Sequence, residues 1–371
     1  MTDLRAFVLG ALELERTDRG LMPHRLPAWA RAQTDDPQLH LVEAQPAGVR
    51  LAMRTAATRL ELDVLPTKRQ YAGAPARPDG SYDVVVDGEL AERLTAPGGN
   101  VLLVDMMTGA NTFEPGEPTT LVIALPAGEK DVEVWLPHDE QTELVDLRAD
   151  APVAPLPAAG PRWVHHGSSI SHGSIATYPT ETWPVVAARL AGLDLVNLGL
   201  GGSALLDPFV ARTIRDTPAA LISLKLGINV VNQDLLRRRA LGPAVHGFLD
   251  TIRDGHPSTP IRLVSPIFCG MHESVPGPTG VDMAGMAEGR VAFVADGDPA
   301  AVARGALTLE VVREVLAEVV ERRHDPLLSY VDGLALYGAA DAETLPLPDN
   351  LHPDSATHRL IGERFAALGD W

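Results

Sequence analysis

Trp163-Val164-His165-His166-Gly167-Ser168-Ser169-Ile170-Ser171-His172-Gly173 is the stretch on which the reading of this chain turns. Four strand-forming residues run into a loop bracketed by glycines, and the loop presents three serines, two of them adjacent. A serine leaving a buried strand in this way turns its hydroxyl into a crevice, near the start of the next helix. Alone the pattern is weak, because serine caps helices so often that capping is the commoner explanation. Its weight depends on the loops further along the chain.

Downstream, short apolar runs alternate with helix-length segments. The runs after 163–166 are Leu195-Val196-Asn197-Leu198, Ala220-Leu221-Ile222-Ser223-Leu224, Ile261-Arg262-Leu263-Val264 and Leu328-Ser329-Tyr330-Val331. Helices are predicted at 183–190, 245–254 and 307–322. The alternation predicts an α/β fold with a doubly wound parallel sheet. Such sheets place ligands beyond the carboxyl ends of their strands, so chemistry is sought in those loops.

Three further loops have suitable residues. Asn197-Leu198-Gly199-Leu200-Gly201-Gly202 follows the second run, and glycines there let backbone N–H groups approach a ligand. Lys225-Leu226-Gly227-Ile228-Asn229 follows the third, with an amide suited to a developing oxyanion. Asp349-Asn350-Leu351-His352-Pro353 precedes a helical run holding Leu360, Ile361 and Phe365, and its three-residue spacing lets a carboxylate hold an imidazole. Separately, these are a tight turn, a turn residue and a helix cap. In this order, at strand ends, they supply a nucleophile, a base, its orienting acid and oxyanion donors.

Upstream, apolar and polar residues alternate with period two. The pattern runs through 11–15, 49–53, 59–64, 82–86, 120–124 and 131–136, with the hairpin signal Asp87-Gly88 after the fourth stretch. An antiparallel β-sandwich, jelly-roll-like, is expected over 1–150. The proline-rich stretch 151–161 reads as a stiff linker or strap, and 162–371 as the catalytic domain.

The charge of −18 across 371 residues argues against nucleic acid or an anionic membrane as partner, and Arg237-Arg238-Arg239 is too short a basic run to offset it. With 45% hydrophobic residues the chain can fill two cores. Cys269, the one cysteine, allows no internal disulfide and reads as a small core residue rather than a catalytic thiol. Met1-Thr2-Asp3-Leu4-Arg5 resembles neither a signal peptide nor a membrane span, which makes the cytoplasm the expected location.

The four loops together resemble the blocks of the SGNH (GDSL-type) esterase and acyltransferase superfamily, over roughly 162–371, which implies a flavodoxin-like sheet. The resemblance implies Ser169 as nucleophile, His352 as general base and Asp349 as its partner. It also implies an oxyanion hole built from the N–H of Ser169, the N–H of Gly202 and the Asn229 amide. Ser168 and Val230 stand where the family has acids, and neither position is catalytic in the family. The whole chain is similar to a two-domain subgroup containing an acyltransferase of polyketide tailoring. That similarity implies transfer of an aryl acyl group (salicylyl) from a coenzyme A thioester to a polyketide hydroxyl. The expected partners are a small-molecule acyl donor and an alcohol acceptor. Acyl-coenzyme A would enter as donor substrate, with no permanently bound cofactor and no metal. Hydrolysis of a small-molecule or carbohydrate ester uses the same residues, and a carbohydrate-binding protein without activity is a further alternative.

Other residues have competing readings. His165, His166 and His172 flank the serine but lack metal-ligand spacing, which favours loop support. The stretch 267–305 is long for a connection and serves either as a wall for the acyl group or acceptor, or as structure alone. Trp29, Trp135 and Tyr71 suggest a sugar-binding face, although core packing is the simpler explanation.

Overall fold

The computed structural model describes residues 3–72, 76–105, 108, 110–287 and 290–369. Met1 and Thr2, two residues of the 267–305 stretch and the last two residues lie outside that set.

The chain divides into two compact units. The first comprises Met1–Ala28, His40–Ala159 and Thr177–Thr180; the second comprises Trp29–Leu39, Gly160–Ala176 and Glu181–Trp371. Residues 29–39 thus group with the second unit, although the sequence places them inside the 1–150 domain.

The first unit is built of two β-sheets. One orders its strands Val8–Leu9, Arg50–Thr55, Lys130–Trp135, Ser81–Val86 and Glu89–Thr95. The other runs Glu13–Arg16, Leu21–His24, Gln141–Ala149, Arg59–Tyr71, Asn100–Val104 and Asn111–Glu114. Alternation explains the layering. Leu60, Leu62 and Val64 are fully buried and pack with Leu51, Met53, Val84, Val132 and Val134. Each such side chain stabilises the fold by about 1.5–3 kcal/mol. The intervening Glu61 and Asp63 face outward and bind Arg148, whose Nη2 lies 2.9 Å from Asp63. Asp87 and Gly88 take φ of 49° and 84°, the twist a two-residue hairpin needs. One pairing departs from the antiparallel expectation, since Arg59–Tyr71 and Asn100–Val104 run parallel. The linker reading also needs amending. Val153–Pro155 pairs antiparallel with Arg50–Thr55, so the proline-rich stretch begins as a sheet edge.

The second unit contains a five-stranded parallel sheet in the order Asp194–Gly199, Arg162–Gly167, Leu221–Lys225, Ile261–Val264, Leu328–Val331. All five runs read from the sequence form its strands. Alternating residues of Arg162–Gly167 face opposite helical layers. Trp163 stacks on Phe365 at 5.1 Å and lies 6.1 Å from Trp183, while His166 stacks on Phe248 at 5.9 Å. Of the helices that flank this sheet region, one is missing from the sequence reading and another is longer than read. Pro208–Asp216 opens on Asp207 and a proline at its first turn, and Arg238–Gly255 starts seven residues earlier than expected, running through Pro243. The first strand in the chain is second in the sheet. The strand order therefore reverses at the end of Arg162–Gly167, the switch point where ligands of such folds bind. Ser169 lies two residues beyond it.

Candidate active site

Register brings the loops together. Gly167 pairs with Gly199 on one side and with Lys225 on the other. Three chain segments therefore leave the sheet at one level, leading to Ser169, to Gly202 and to Asn229 within two to four residues. Gly199 is required by crowding, because a Cβ there would stand 2.4 Å from the His172 N. Ser168 caps the short helix Ser169–His172, its hydroxyl accepting from the Ile170 N–H. This serine, where the resemblance implies an acid, has the capping task.

Ser169, His352 and Asp349 form one continuous hydrogen-bonded chain. Ser169 Oγ lies 2.9 Å from His352 Nε2, and His352 Nδ1 lies 2.7 Å from Asp349 Oδ2. Asp349 Oδ1 accepts the N–H groups of Leu351 and His352 at 2.9 and 2.7 Å, so the carboxylate organises its own loop. Asn350 takes φ of 68° between them. Burial alone would raise the Asp349 carboxyl. The hydrogen bond and charge of His352, with the two backbone donors, outweigh that and hold it below its ordinary value. An ionised carboxylate only accepts, so Nδ1 bears the hydrogen and the Nε2 lone pair faces the serine hydroxyl. The helix beyond is capped by Asp354, which leaves Asp349 free of that role.

Asn229 is almost wholly buried at the start of the helix Ile228–Asn232. Its Oδ1 accepts the Ala204 N–H at 3.1 Å, which fixes the amide and directs the Nδ2 donors away from that contact. Gly202 takes φ of 77° in the same loop.

With this geometry in view, the comparisons with known proteins are direct. The GDSL-like lipase/acylhydrolase family model matches residues 162–271, and the model of the SsfX3 N-terminal domain matches residues 7–145. The structure of the salicylyl-acyltransferase SsfX3 from a tetracycline biosynthetic pathway is 29% identical, with a TM-score of 0.78 over 98% of this chain and 94% of that one. The family match thus covers the segment that holds Ser169, Gly202 and Asn229. Together with the likeness to SsfX3 it makes the protein an enzyme of acyl transfer or ester hydrolysis. A GDSL-like lipase from Bacteroides ovatus matches at 18% identity and TM-score 0.67, covering 96% of this chain and 93% of that one. A family two carbohydrate esterase from Clostridium thermocellum matches at 14% and 0.58, covering 87% and 91%. At those identities the likeness is one of fold. A comparison with curated proteins found no match.

The surroundings of this site include groups that the sequence reading left undecided. His165 spans Ser223 and Ser171 with its two ring nitrogens, at 2.7 and 2.8 Å. Burial keeps its imidazole well below the usual basicity, so it serves as neutral support. Among the described residues no cluster of three or more His, Cys, Asp or Glu is arranged to hold a metal. Burial pushes the Cys269 thiol up to about 12, and its Sγ donates to the Asn350 carbonyl at 3.3 Å, bracing the Asp349 loop. From the 267–305 stretch, Phe293 is joined to the same loop. Its N–H donates to the Asp349 carbonyl at 2.9 Å, and its ring stands edge-on to His352 at 5.7 Å. Trp135 is buried under the Arg50 guanidinium, and Trp29 belongs to the second unit beneath Arg212, so the aromatic trio makes no common face in the first unit.

Lys225, Gln233 and Gln38 escaped the sequence reading. Lys225 is fully buried at its strand end, and burial lowers its ammonium to about 7. Gln233 and Gln38 bind the glycine loop. Gln38 lies more than a hundred residues upstream, and no local pattern marks it.

Proposed function

We propose that this enzyme transfers an acyl group through a Ser169 acyl-enzyme, moving an aryl acyl group from a coenzyme A thioester to a hydroxyl of a polyketide-type product. The hydrogen-bonded chain Ser169–His352–Asp349 is the observation that supports the chemistry. Support for transfer, and for salicylyl-like cargo, comes from the likeness to the salicylyl-acyltransferase across nearly the whole chain.

In the proposed mechanism His352 Nε2 takes the Ser169 proton as Oγ attacks the thioester carbonyl. Asp349 stabilises the imidazolium that forms. The oxyanion receives hydrogen bonds from the N–H groups of Ser169 and Gly202 and from Asn229 Nδ2, each such donor contributing on the order of 3 kcal/mol. Collapse breaks the C–S bond, and the departing thiolate takes its proton from His352. The acceptor hydroxyl then gives its proton to His352 and attacks the Ser169 ester; the acyl C–Oγ bond breaks, Ser169 Oγ takes that proton from His352, and the ester product and the free serine result. The edge-on ring of Phe293 beside His352 suits a planar aryl group. Acyl-coenzyme A serves here as substrate and no resident cofactor is required. Such a donor makes the cytoplasm the proposed location. No described helix is long and apolar enough to cross a membrane.

Intact-protein mass measurement tests the reading. After exposure to an aryl acyl thioester, the expected mass gain sits on Ser169 and is discharged by a polyketide alcohol faster than by water. Discharge by water at equal speed makes the enzyme an esterase. No labelling by any ester, thioester or serine-directed probe would overturn acyl-enzyme chemistry in favour of a binding protein.

A further inference from the structure

Two glutamines grip the glycine loop, one on each side of Gly202. Gln38 Nε2 donates to the Gly201 carbonyl at 2.9 Å, and Gln233 Nε2 donates to the Gly202 carbonyl at 2.5 Å. The two contacts have different consequences. The Gly201 carbonyl and the Gly202 N–H belong to one peptide group, and in a trans peptide they point in opposite directions. A donor held on that carbonyl therefore sets where the Gly202 N–H points. It also polarises the amide, which makes the N–H a stronger donor. The peptide gripped by Gln233 ends instead in the Ser203 N–H, which donates to the Leu200 carbonyl at 3.0 Å and closes the turn.

Gly202 has φ of 77° and no side chain, so its backbone has the widest freedom of any residue type. Gln38 itself is anchored. Its own N–H donates to Asp36 Oδ1 at 3.0 Å, and Gln33 accepts from Arg212 of the second unit. The side chain also covers the glycine, since a Cβ at 202 would stand 3.5 Å from Gln38 Cγ and 3.6 Å from Nε2.

We infer that Gln38 is a positioning residue for acyl transfer, orienting and polarising the Gly201–Gly202 peptide so that the Gly202 N–H meets the oxyanion. This rests on the reading of Gly202 as an oxyanion donor. It gives residues 29–39, which the sequence assigns to the accessory domain, a place in the machinery.

Gln38→Met keeps the length of the side chain and its cover over Gly202 but removes the donor. With a chromogenic aryl ester, kcat is expected to fall about tenfold while KM stays within twofold, since misaiming a donor costs less than deleting it. Inhibition by an aryl boronic acid, which forms a tetrahedral adduct on the serine, should weaken by the same factor. Gln38→Glu, equally long and unable to donate, should lose at least as much. Wild-type kcat in either variant, or a loss confined to KM, would overturn the inference. Ser169→Ala is measured alongside. Full turnover there would sink the reading of the site itself, whereas an inert Ser169→Ala beside an unimpaired Gln38→Met would sink only the role of Gln38.

Discussion

At the scale of single residues, the site depends on which group bears which proton. Asp349 is held ionised, so His352 must donate from Nδ1 and accept at Nε2, and Ser169 must donate. Each substitution should therefore fail in its own way. Ser169→Ala is expected to abolish the mass shift with an aryl thioester while its thermal midpoint stays near wild type. Asp349→Asn keeps an acceptor for the two backbone N–H groups but presents an NH2 to the ring, which moves the imidazole hydrogen to Nε2. A fall in kcat of about 10²–10⁴ is expected, with little change in KM. Asn229→Ala removes one donor of the proposed oxyanion hole and frees the Ala204 N–H. Stopped-flow acylation should slow by about 10²–10³.

At the scale of elements, the loops at the strand ends decide what those residues can reach. Gly202→Ala forces a Cβ onto a left-handed backbone, costing about 1 kcal/mol, and presses it toward Gln38. The expected result is a folded protein by circular dichroism whose kcat falls by at least tenfold. A wild-type kcat would show that the loop tolerates a side chain. Much at this scale is legible in the sequence. The runs ending at His166, Leu198, Leu224, Val264 and Val331 read as strands because short β-branched and leucine-rich stretches bounded by turns have few other uses. Pro208–Asp216 does not read as a helix, since its proline suggests a break until it is seen to occupy the first turn. The 267–305 stretch has no readable periodicity. Its hairpin, Thr279–Val281 with Phe293–Ala295, is held in part by the Phe293 N–H on the Asp349 carbonyl and by the Asn350 amide on the Phe293 carbonyl, which no local pattern announces.

At the scale of the whole molecule, the excess of acid over base must be accommodated, and Glu140 in the first unit shows the strain. Burial, with Asp139 beside it, raises its carboxyl to about 7, while Gly80 donates to Oε1 at 2.8 Å. A folded pKa above the ordinary value of 4.5 means that the native state binds more protons than the unfolded chain between about 4.5 and 7. Stability from this group therefore falls as pH rises through that window, and the full penalty stands above it. Glu140→Gln should melt higher than wild type at pH 8, by roughly 1–3 kcal/mol of stability, and the difference should vanish near pH 4. Thermal melts at the two pH values check it, and a constant difference would place the effect in packing instead.

The sequence by itself determined the layer order and the five parallel strands and pointed to Ser169, Gly202, Asn229, Asp349 and His352 as candidates, because strand periodicity and loop chemistry are local and leave their mark within a few residues. The 2.9 Å contact that brings His352 Nε2 to Ser169 Oγ came only with the fold. So did the return of residues 29–39 to the second unit, where Gln38 meets the Gly201 carbonyl. Such contacts join residues more than a hundred positions apart, and no periodicity records which distant side chain the packing will deliver.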